Sequence, residues 1–374
     1  MIYLDNAATG GFKPRSVTDA VENSIRFLSA NPGRSGHKLS VEGARTVYDC
    51  RCLLGEYFSC TPENVIFTKN CTEALNLAIF GTKRKGGHVI TTVFEHNSVL
   101  RPLYYLKNKG VITLDVVCPT TSTSLAQEIQ SKIKANTYMV IANAVSNVTG
   151  QALPIKEIGE VCRKFDLLFV VDGAQGGGHV SLDMKANNIS LLALATHKGL
   201  YGIMGSGALL IDDQTQVEPI TFGGTGSESF NLYQPRCYPE RLESGTLNLP
   251  AISALREGVL FVKEHAENFS THLLSQTTHL INGLSKISKA RCYSTPNPSG
   301  IVAFSLSNLP SEQVADVLSS EFDIALRGGM HCAPLMHKFL QTEKDGLNRV
   351  SLAVQNTSAE IDYLIKAVNE ISKR

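Results

Sequence analysis

The sequence predicts an α/β protein, built on a β-sheet whose strands alternate with helices along the chain. Short β-branched and aliphatic runs alternate with segments of helical periodicity over most of the 374 residues. The run LLFVVD at residues 167–172 is apolar almost throughout, which is typical of a parallel strand covered on both faces. Ligands of such sheets bind beyond the carboxyl ends of the strands, so residues at those ends are the first candidates for function.

The elements of the sheet region follow one another in a regular order. Apolar and β-branched runs predict strands at residues 65–68, 89–93, 111–117, 138–143, 167–172, 191–196 and 208–211. The last two repeat the apolar texture of a parallel strand. A helix is expected at 72–80, opened by a hydroxyl cap. A second is expected at 155–165, because Pro154 precedes apolar residues at helical spacing.

The texture of the sequence changes near Pro250, which predicts a second domain. The later elements suit a smaller α+β unit and are a long helix at 251–265, a strand at 300–305 and helices at 312–318 and 358–371. We therefore expect a large domain at 15–255. The small domain would consist of residues 1–14 together with 256–374.

Composition excludes several classes of protein. The chain has 35 Lys+Arg and 34 Asp+Glu, a formal net charge of +1, whereas nucleic-acid binders carry an excess of basic charge. Its apolar runs are far shorter than the ~20 residues that cross a bilayer, and no signal peptide is visible. The nine cysteines include no C-x-x-C pair, so we expect reduced thiols and no metal site. We predict a cytoplasmic protein without nucleic-acid or membrane partners.

Three strand ends carry chemically distinctive residues. Asp172 closes one apolar strand, and it either caps the next helix or holds a carboxylate at the sheet edge to pair with a buried cation. Lys198 directly follows the strand at 191–196, where a lysine is either solvated or a nucleophile. Cys71 and Thr72 begin a predicted helix, and helix N-termini bind anions. A phosphate site, an acid and a lysine in this order meet the requirements of pyridoxal phosphate.

Ten short motifs in register extend this hypothesis over nearly the whole chain. They lie at residues 3–9, 31–37, 68–76, 95–98, 145–150, 171–175, 196–202, 243–248, 327–334 and 349–356. Through them the chain resembles the class V aminotransferases of fold type I, and within these the group II cysteine desulfurases and selenocysteine lyases. The resemblance implies a pyridoxal-phosphate-dependent enzyme with a large domain around a mainly parallel seven-stranded sheet and a smaller α+β C-terminal domain.

The resemblance also assigns cofactor roles to individual residues. Lys198 would form the Schiff base with pyridoxal phosphate and move protons, and Asp172 would pair with the pyridine nitrogen. Gln175 would bind the phenolate oxygen, and His96 would stack on the ring and shuttle protons. The residues implied to hold the phosphate are Cys71, Thr72, Thr196 and His197, with Gly245 and Thr246 reaching over from a second subunit. The resemblance therefore implies a homodimer.

The substrate and the reaction follow from residues of the C-terminal third. Arg349 would bind the carboxylate of L-cysteine, with Asn147 and Arg327 nearby, because guanidinium grips carboxylate through two parallel hydrogen bonds. Cys332 occupies the position of the persulfide-forming cysteine, although a buried packing thiol is the simpler interpretation. We expect Arg327 and His331 to lower the pKa of Cys332. Sulfur would then pass to a small acceptor protein.

The sequence departs from the group II pattern, and other functions stay open. Met330 replaces the first histidine of the usual motif, one residue is missing before Pro334, and Thr196 replaces a serine. A selenocysteine lyase, a C–S lyase, an epimerase or a kynureninase-like hydrolase would also need Lys198 and Asp172. A non-catalytic cofactor-binding protein is the remaining alternative. A dinucleotide-binding fold is excluded, because GAQGGG at residues 173–178 lacks the required glycine spacing.

Overall fold

The computed structural model describes residues 1–120, 123–307 and 309–374, and it confirms the α/β class. The strands are β1 (Ile2–Tyr3), β2 (Val65–Thr68), β3 (Gly87–Thr92), β4 (Ile112–Val117), β5 (Thr137–Asn143), β6 (Leu168–Asp172), β7 (Leu191–Ala195), β8 (Gly207–Ile211), β9 (Ala290–Cys292), β10 (Ile301–Leu306), β11 (Ile324–Ala325) and β12 (Asn348–Ser351). The helices are α1 (Arg15–Phe27), α2 (Lys38–Phe58), α3 (Cys71–Gly81), α4 (Asn97–Asn108), α5 (Leu125–Ser131), α6 (Ile155–Lys164), α7 (Leu249–Leu284), α8 (Ser311–Phe322), α9 (Pro334–Leu340) and α10 (Ser358–Ser372).

The central sheet has seven strands in the order β2-β8-β7-β6-β5-β3-β4. All neighbours pair in parallel except those of β8, which runs antiparallel to both β2 and β7. The expectation of a parallel strand at 208–211 was therefore wrong. Burial on both faces makes a strand apolar whichever way it runs, and the short connection between β7 and β8 leaves no room for a crossover helix.

Side chains of the central sheet alternate between two hydrophobic cores. Along β6, Phe169 and Val171 belong to one cluster, whereas Val170 belongs to the cluster on the opposite face. This alternation follows from the two-residue period of a strand and explains why both faces need helical cover. Because all three side chains are fully buried, the strand ends are the part of the sheet that remains available to ligands.

Helix α3 begins one turn from the edge strand and starts differently from the expectation. Its cap is Asn70, whose Oδ1 accepts a hydrogen bond from Glu73 N at 2.9 Å, rather than a hydroxyl. Asparagine is as good a cap as serine or threonine, so Asn70, two residues before Thr72, caps the helix instead. Thr72 consequently lies in the first turn, where its hydroxyl is free for other partners.

A second, smaller sheet follows the long helix α7. Strands β12-β10-β9 pair antiparallel, and β1 pairs in parallel with β11, which joins the start of the chain to its C-terminal part. Helix α7 extends nineteen residues beyond the predicted end at 265. Its first half packs into the central core, through Leu255 for example, and its second half packs into the C-terminal core through Leu280. The division of the chain at residue 255 falls inside this helix and stays a proposal.

Two further findings concern the described residues as a group. None of the helices in this part of the chain combines the length and the apolar character that crossing a membrane requires. Likewise, no three His, Cys, Asp or Glu side chains among the described residues come together as a metal site would demand.

Candidate active site

A cavity of about 110 Å³ lies at the carboxyl ends of β3, β5, β6 and β7, against the start of α3. It is lined by Asn70, Cys71, Thr72, Leu75, His96, Ser98, Asn143, Val145, Asn147, Asp172, Ala174, Gln175, Ala195, His197 and Lys198. Eight of the predicted site residues are thus brought together at this sheet edge. The convergence results from parallel strands, because their carboxyl ends meet on the same side of the sheet.

Lys198 enters the cavity three residues after the end of β7. Burial lowers the pKa of its amine below the ordinary value, and the charges of Arg349 and Arg327 act in the same direction. A larger share of the amine is therefore uncharged and nucleophilic near neutral pH. The adjoining carbonyl of His197 is fixed by three donors, Gly10 N at 2.9 Å, Lys13 Nζ at 3.1 Å and the Thr9 hydroxyl at 3.4 Å.

Asp172 lies opposite the lysine at the end of β6. Its Oδ1 accepts hydrogen bonds from Ala174 N at 2.9 Å and from the thiol of Cys71, with Sγ at 3.6 Å. Burial, reinforced by the charge of Asp172, raises the pKa of Cys71 well above its ordinary value, so the thiol keeps its proton and acts as a donor. Among the described residues, Oδ2 of Asp172 has no hydrogen-bond partner, which leaves one carboxylate oxygen for a ligand.

The N-termini of α3 and α4 are joined by a chain of polar side chains. Thr72 Oγ1 and Ser98 Oγ lie 2.7 Å apart, and Ser98 Oγ lies 3.0 Å from His96 Nδ1. His96 Nδ1 also accepts a hydrogen bond from Ser98 N, so the proton of the neutral imidazole is on Nε2. Burial lowers the pKa of His96, and the imidazole is therefore neutral at pH 7.

Gln175 and Thr196 make contacts that bear on their expected roles. The amide nitrogen of Gln175 donates to Ala7 O at 2.8 Å, which fixes the side chain at the cavity wall. Thr196 is fully buried, does not line the cavity, and donates its hydroxyl proton to Ser206 O at 2.8 Å. The Thr196 hydroxyl therefore does not face the cavity, where it was expected to hold the phosphate of the cofactor.

Arg349 lies behind Asn147 with part of its guanidinium unsatisfied. Its NH1 donates to Asn147 O at 3.0 Å and its NH2 pairs with Asp5 Oδ1 at 2.9 Å. The Nε of Arg349 and the Oδ1 of Asn147 are buried and have no partner in the described part of the chain. An unsatisfied buried polar atom costs about 1–3 kcal/mol, so both atoms indicate a place for a polar ligand. Arg327 is adjacent, since its main chain pairs with that of Arg349.

Cys332 lies on the loop between β11 and α9. Its carbonyl accepts a hydrogen bond from Asn97 N at 2.7 Å, which joins the loop to the start of α4. The expectation that His331 lowers the pKa of this thiol was wrong, because burial depresses the pKa of His331 to about 2 and the imidazole is neutral. A neutral ring whose Nε2 already donates to Leu347 O stabilises no thiolate. Arg349 is the positive charge that interacts with Cys332; burial lowers the pKa of Arg349, and the charges of Asp5 and Cys332 oppose that shift.

Thr246 does not line the cavity of its own subunit. It borders a neighbouring pocket beside β2, and its hydroxyl accepts a hydrogen bond from Asn31 Nδ2 at 3.3 Å. Arg34 holds the adjacent carbonyl of Gly245 at 3.0 Å. Residues of two motifs, 31–37 and 243–248, thus form one surface outside the cavity.

Sequence reasoning missed three residues of the cavity region. Ser98 connects His96 to Thr72, and Asn143 ends β5 beside Asp172. Glu95 is fully buried, and its Oε1 accepts hydrogen bonds from the Thr92 hydroxyl at 2.6 Å and Asn143 N at 3.1 Å. Burial raises the pKa of Glu95 to about 8. Asn143 would have been found by the rule that singled out Asp172, since both close apolar strands.

The set of groups in the cavity fits pyridoxal phosphate. An amine with a lowered pKa, a carboxylate with one free oxygen and a helix N-terminus correspond to the aldehyde, the ring nitrogen and the phosphate. The neutral imidazole of His96 adds an aromatic surface.

Comparison with known proteins gives a consistent result. The family model "Aminotransferase class-V" matches residues 2–364. A "Probable cysteine desulfurase" of Methanothermobacter thermautotrophicus is 30% identical over 379 residues, covering 99% of this chain and 94% of that protein. The mitochondrial cysteine desulfurase of Candida maltosa is 30% identical over 391 residues, covering 99% of this chain and 77% of that protein.

A solved structure extends the likeness to three dimensions. The apo structure of the cysteine desulfurase from Thermococcus onnurineus NA1 superposes with a TM-score of 0.92 at 28% identity. The match covers 100% of this chain and 94% of that one. Sequence, fold and the groups in the cavity lead to the same assignment: the chain belongs to the class-V aminotransferase family.

Proposed function

We propose that this chain is a pyridoxal-phosphate-dependent cysteine desulfurase, which converts L-cysteine to L-alanine and takes the sulfur onto Cys332. The observation that carries the proposal is the position of Asn147. This residue lines the cavity that contains Lys198 and Asp172, accepts a hydrogen bond from Arg349, and donates one to the Cys332 loop. Cofactor groups, a carboxylate-binding arginine and a thiol loop therefore adjoin one another.

The cofactor would be held by residues on three sides of the cavity. Lys198 would bind it covalently through its amine, and Asp172 would keep the ring nitrogen protonated through its free oxygen. The phosphate would lie at the N-terminus of α3, near the hydroxyls of Thr72 and Ser98. When bound, pyridoxal phosphate supplies an electron-withdrawing ring that stabilises negative charge at the substrate Cα.

Arg349 and Asn147 would bind the amino-acid substrate. The unsatisfied Nε of Arg349 suits a carboxylate, and its NH2 stays fixed by Asp5. Once the amine of the substrate has displaced Lys198 from the cofactor, the released amine of Lys198 would take the proton from the substrate Cα, because its lowered pKa leaves it uncharged. His96, with its proton on Nε2, can donate to the substrate from the other side of the cavity.

Sulfur transfer balances without an external oxidant or reductant. The thiolate of Cys332 attacks the substrate sulfur, an S–S bond forms and the Cβ–S bond breaks. The electron pair of the broken bond stays with the carbon skeleton, which takes up a proton and leaves as alanine. The sulfur is oxidised, Cβ is reduced, and the sum is L-cysteine plus thiol giving L-alanine plus persulfide. The positive charge of Arg349, which interacts with Cys332, lies beside the attacking sulfur.

A homodimer and a sulfur acceptor complete the proposal. Phe230 and Leu232, in the segment before Thr246, are 103% and 97% exposed, which is unusual for large apolar side chains unless a second subunit covers them. Dimerisation would bring Thr246 to the phosphate of the partner's cavity. We further propose that a small protein accepts the persulfide sulfur. The cytoplasmic location stays a prediction, since the relatives include mitochondrial enzymes.

The test is turnover of L-cysteine by the protein loaded with pyridoxal phosphate. We expect alanine formation by the wild type and by Cys237→Ala, the control for an exposed thiol, and none by Cys332→Ala or Lys198→Ala. Unchanged sulfide release by Cys332→Ala would contradict the proposal. Selenocysteine turnover that survives Cys332→Ala, with cysteine turnover lost, would favour a selenocysteine lyase.

A further inference from the structure

The loop that carries Cys332 has an unfavourable backbone conformation. His331 and Cys332 have φ angles of 47° and 56°, in the left-handed region that residues other than glycine adopt rarely. Two consecutive residues with side chains in this region persist only where the surroundings impose the conformation. The neighbours of the loop therefore determine where the thiol lies.

The ring of His331 bonds Leu347 O on one side of the loop, and two further hydrogen bonds reach the loop from elements that border the cavity. The amide Nδ2 of Asn147 donates to His331 O at 2.7 Å, and the backbone N of Asn97 donates to Cys332 O at 2.7 Å. Asn147 follows β5, whereas Asn97 begins α4 directly after His96. The two carbonyl groups that flank the Cα of Cys332 are thus both tied to the cavity wall.

Of these two bonds, only the one from Asn147 is made by a side chain. Asn147 is 6% exposed, its main-chain oxygen accepts a hydrogen bond from Arg349, and its Oδ1 has no partner among the described residues. Asn147 therefore contacts the Cys332 loop through its side chain and Arg349 through its main chain. Removal of its amide would free the His331 carbonyl, and Asn97 N would then provide the remaining one of these two bonds to the cavity wall.

We propose that Asn147 is a positioning residue for Cys332, which keeps the thiol at a fixed place relative to the cavity by holding the carbonyl of His331. This inference rests on the proposed function, in which Cys332 attacks the substrate sulfur, and it differs from the substrate-binding role that the resemblance assigns to Asn147. A reacting group that is misplaced by about 1 Å can react on the order of 100-fold more slowly, so loss of the hydrogen bond from Asn147 should have a measurable effect.

The test compares Asn147→Ala and Asn147→Asp with the matched control Asn97→Ala. Asp keeps the size of the side chain but sets an oxygen against the His331 carbonyl, whereas Asn97→Ala keeps the backbone N–H that binds the loop. Hydrogen–deuterium exchange of residues 327–336 is measured in the protein loaded with pyridoxal phosphate. Persulfide on Cys332 is quantified after a pulse of L-cysteine, and the visible absorption band reports cofactor attachment to Lys198.

We expect both Asn147 variants to exchange the loop amides about tenfold faster and to form persulfide about 100-fold more slowly, with the absorption band unchanged. Asn97→Ala should match the wild type in loop exchange. Unchanged loop exchange in both Asn147 variants would overturn the proposal, even if persulfide is lost, because Asn147 would then act on the substrate alone. Absence of persulfide in the wild type would contradict the proposed function, while the exchange comparison would still decide the role of Asn147.

Discussion

Asp172 presents only one carboxylate oxygen to a ligand, because its neighbours occupy the other. Ala174 N and the protonated thiol of Cys71 both donate to Oδ1. The sequence analysis assigned Cys71 to the phosphate, but its side chain contacts the carboxylate that would meet the ring nitrogen. The thiol therefore affects how the Asp172 carboxylate is oriented.

Cys71→Ala should weaken binding of pyridoxal phosphate about three- to tenfold, because the thiol is a weak donor and loss of its hydrogen bond costs on the order of 1 kcal/mol. Cys71→Ser keeps a donor in the same place and should bind close to the wild-type value. Absorption titration of the cofactor-free protein measures both affinities. Equal weakening in the two variants would show that the thiol contributes by packing and not by hydrogen bonding.

Glu95 makes stability depend on pH. Its folded pKa of about 8 lies above the ordinary value of 4.5, so the folded protein holds a proton that the unfolded chain has lost. The stabilising effect is complete below pH 4.5 and is lost as the pH rises to about 8.

Glu95→Gln should remove this loss, since the amide cannot ionise and keeps the oxygen that Thr92 and Asn143 bind. We expect the difference in free energy of unfolding, variant minus wild type, to increase by about 4 kcal/mol between about pH 5 and pH 8. Urea unfolding at both pH values measures the difference. Parallel pH profiles would mean that Glu95 is ionised in the folded protein.

Residue types at strand ends could be predicted from the sequence, whereas their contacts could not. Asp172 and Lys198 stand out because an apolar strand precedes each, and the structure brings them to one cavity. Thr196 lies in the same motif as Lys198, but its hydroxyl faces Ser206. Whether a hydroxyl faces the ligand or the core depends on a neighbour ten residues away, which a motif does not specify.

At the scale of elements, a buried ion pair connects α2, the edge strand β2 and the segment that carries Thr246. Arg51 and Glu243 side chains are each 6% exposed, and Glu243 Oε1 also accepts a hydrogen bond from Phe67 N at 2.6 Å. The guanidinium of Arg51 lies 4.6 Å from the centroid of the Phe67 ring. The pair thus anchors the segment whose tip would reach the second subunit.

Arg51→Met should destabilise the protein by about 3–5 kcal/mol, because it leaves the Glu243 carboxylate buried without a counter-charge. Lys263→Met is the control, since it breaks an exposed pair with Glu56 and should cost less than about 1 kcal/mol. Urea unfolding followed by circular dichroism measures both. Similar losses in the two variants would show that burial of the Arg51 pair is less important than this account requires.

Local sequence patterns predicted which segments form helices and strands, but they did not predict the direction of β8 or the length of α7. The strand at 208–211 was correctly located, and its antiparallel direction was missed because burial on both faces gives the same apolar run either way. Helix α7 continues past 265 through polar residues such as Glu267 and Asn268, where packing on both flanks maintains a helix that the apolar periodicity alone does not indicate.

At the scale of the whole molecule, each active site would draw on two subunits. Thr246 lies outside its own cavity, next to a segment with exposed aromatic side chains. In the proposed homodimer, surface residues of one subunit and cavity residues of the other would belong to one site only after association. Sequence motifs alone therefore do not indicate whether Thr246 would contribute to the cavity of its own chain or to that of a second subunit.

Subunit complementation tests this arrangement. Thr246→Ala should lower activity about tenfold through loss of a phosphate contact, and Lys198→Ala should abolish it. A heterodimer of the two variants, purified through two different tags, has one site with both residues intact if Thr246 acts across the interface. We expect about half the wild-type activity from that dimer. An activity at half the Thr246→Ala level would show that Thr246 serves its own subunit.

The central claim is that Cys332 receives sulfur from L-cysteine through a site built on Lys198. Its most direct test is mass spectrometry of the Cys332 peptide after the protein loaded with pyridoxal phosphate has been incubated with L-cysteine. The account predicts that this peptide gains the mass of one sulfur atom in the wild type and gains none in Lys198→Ala. An unmodified Cys332 peptide in a wild-type sample that has formed alanine would contradict the account.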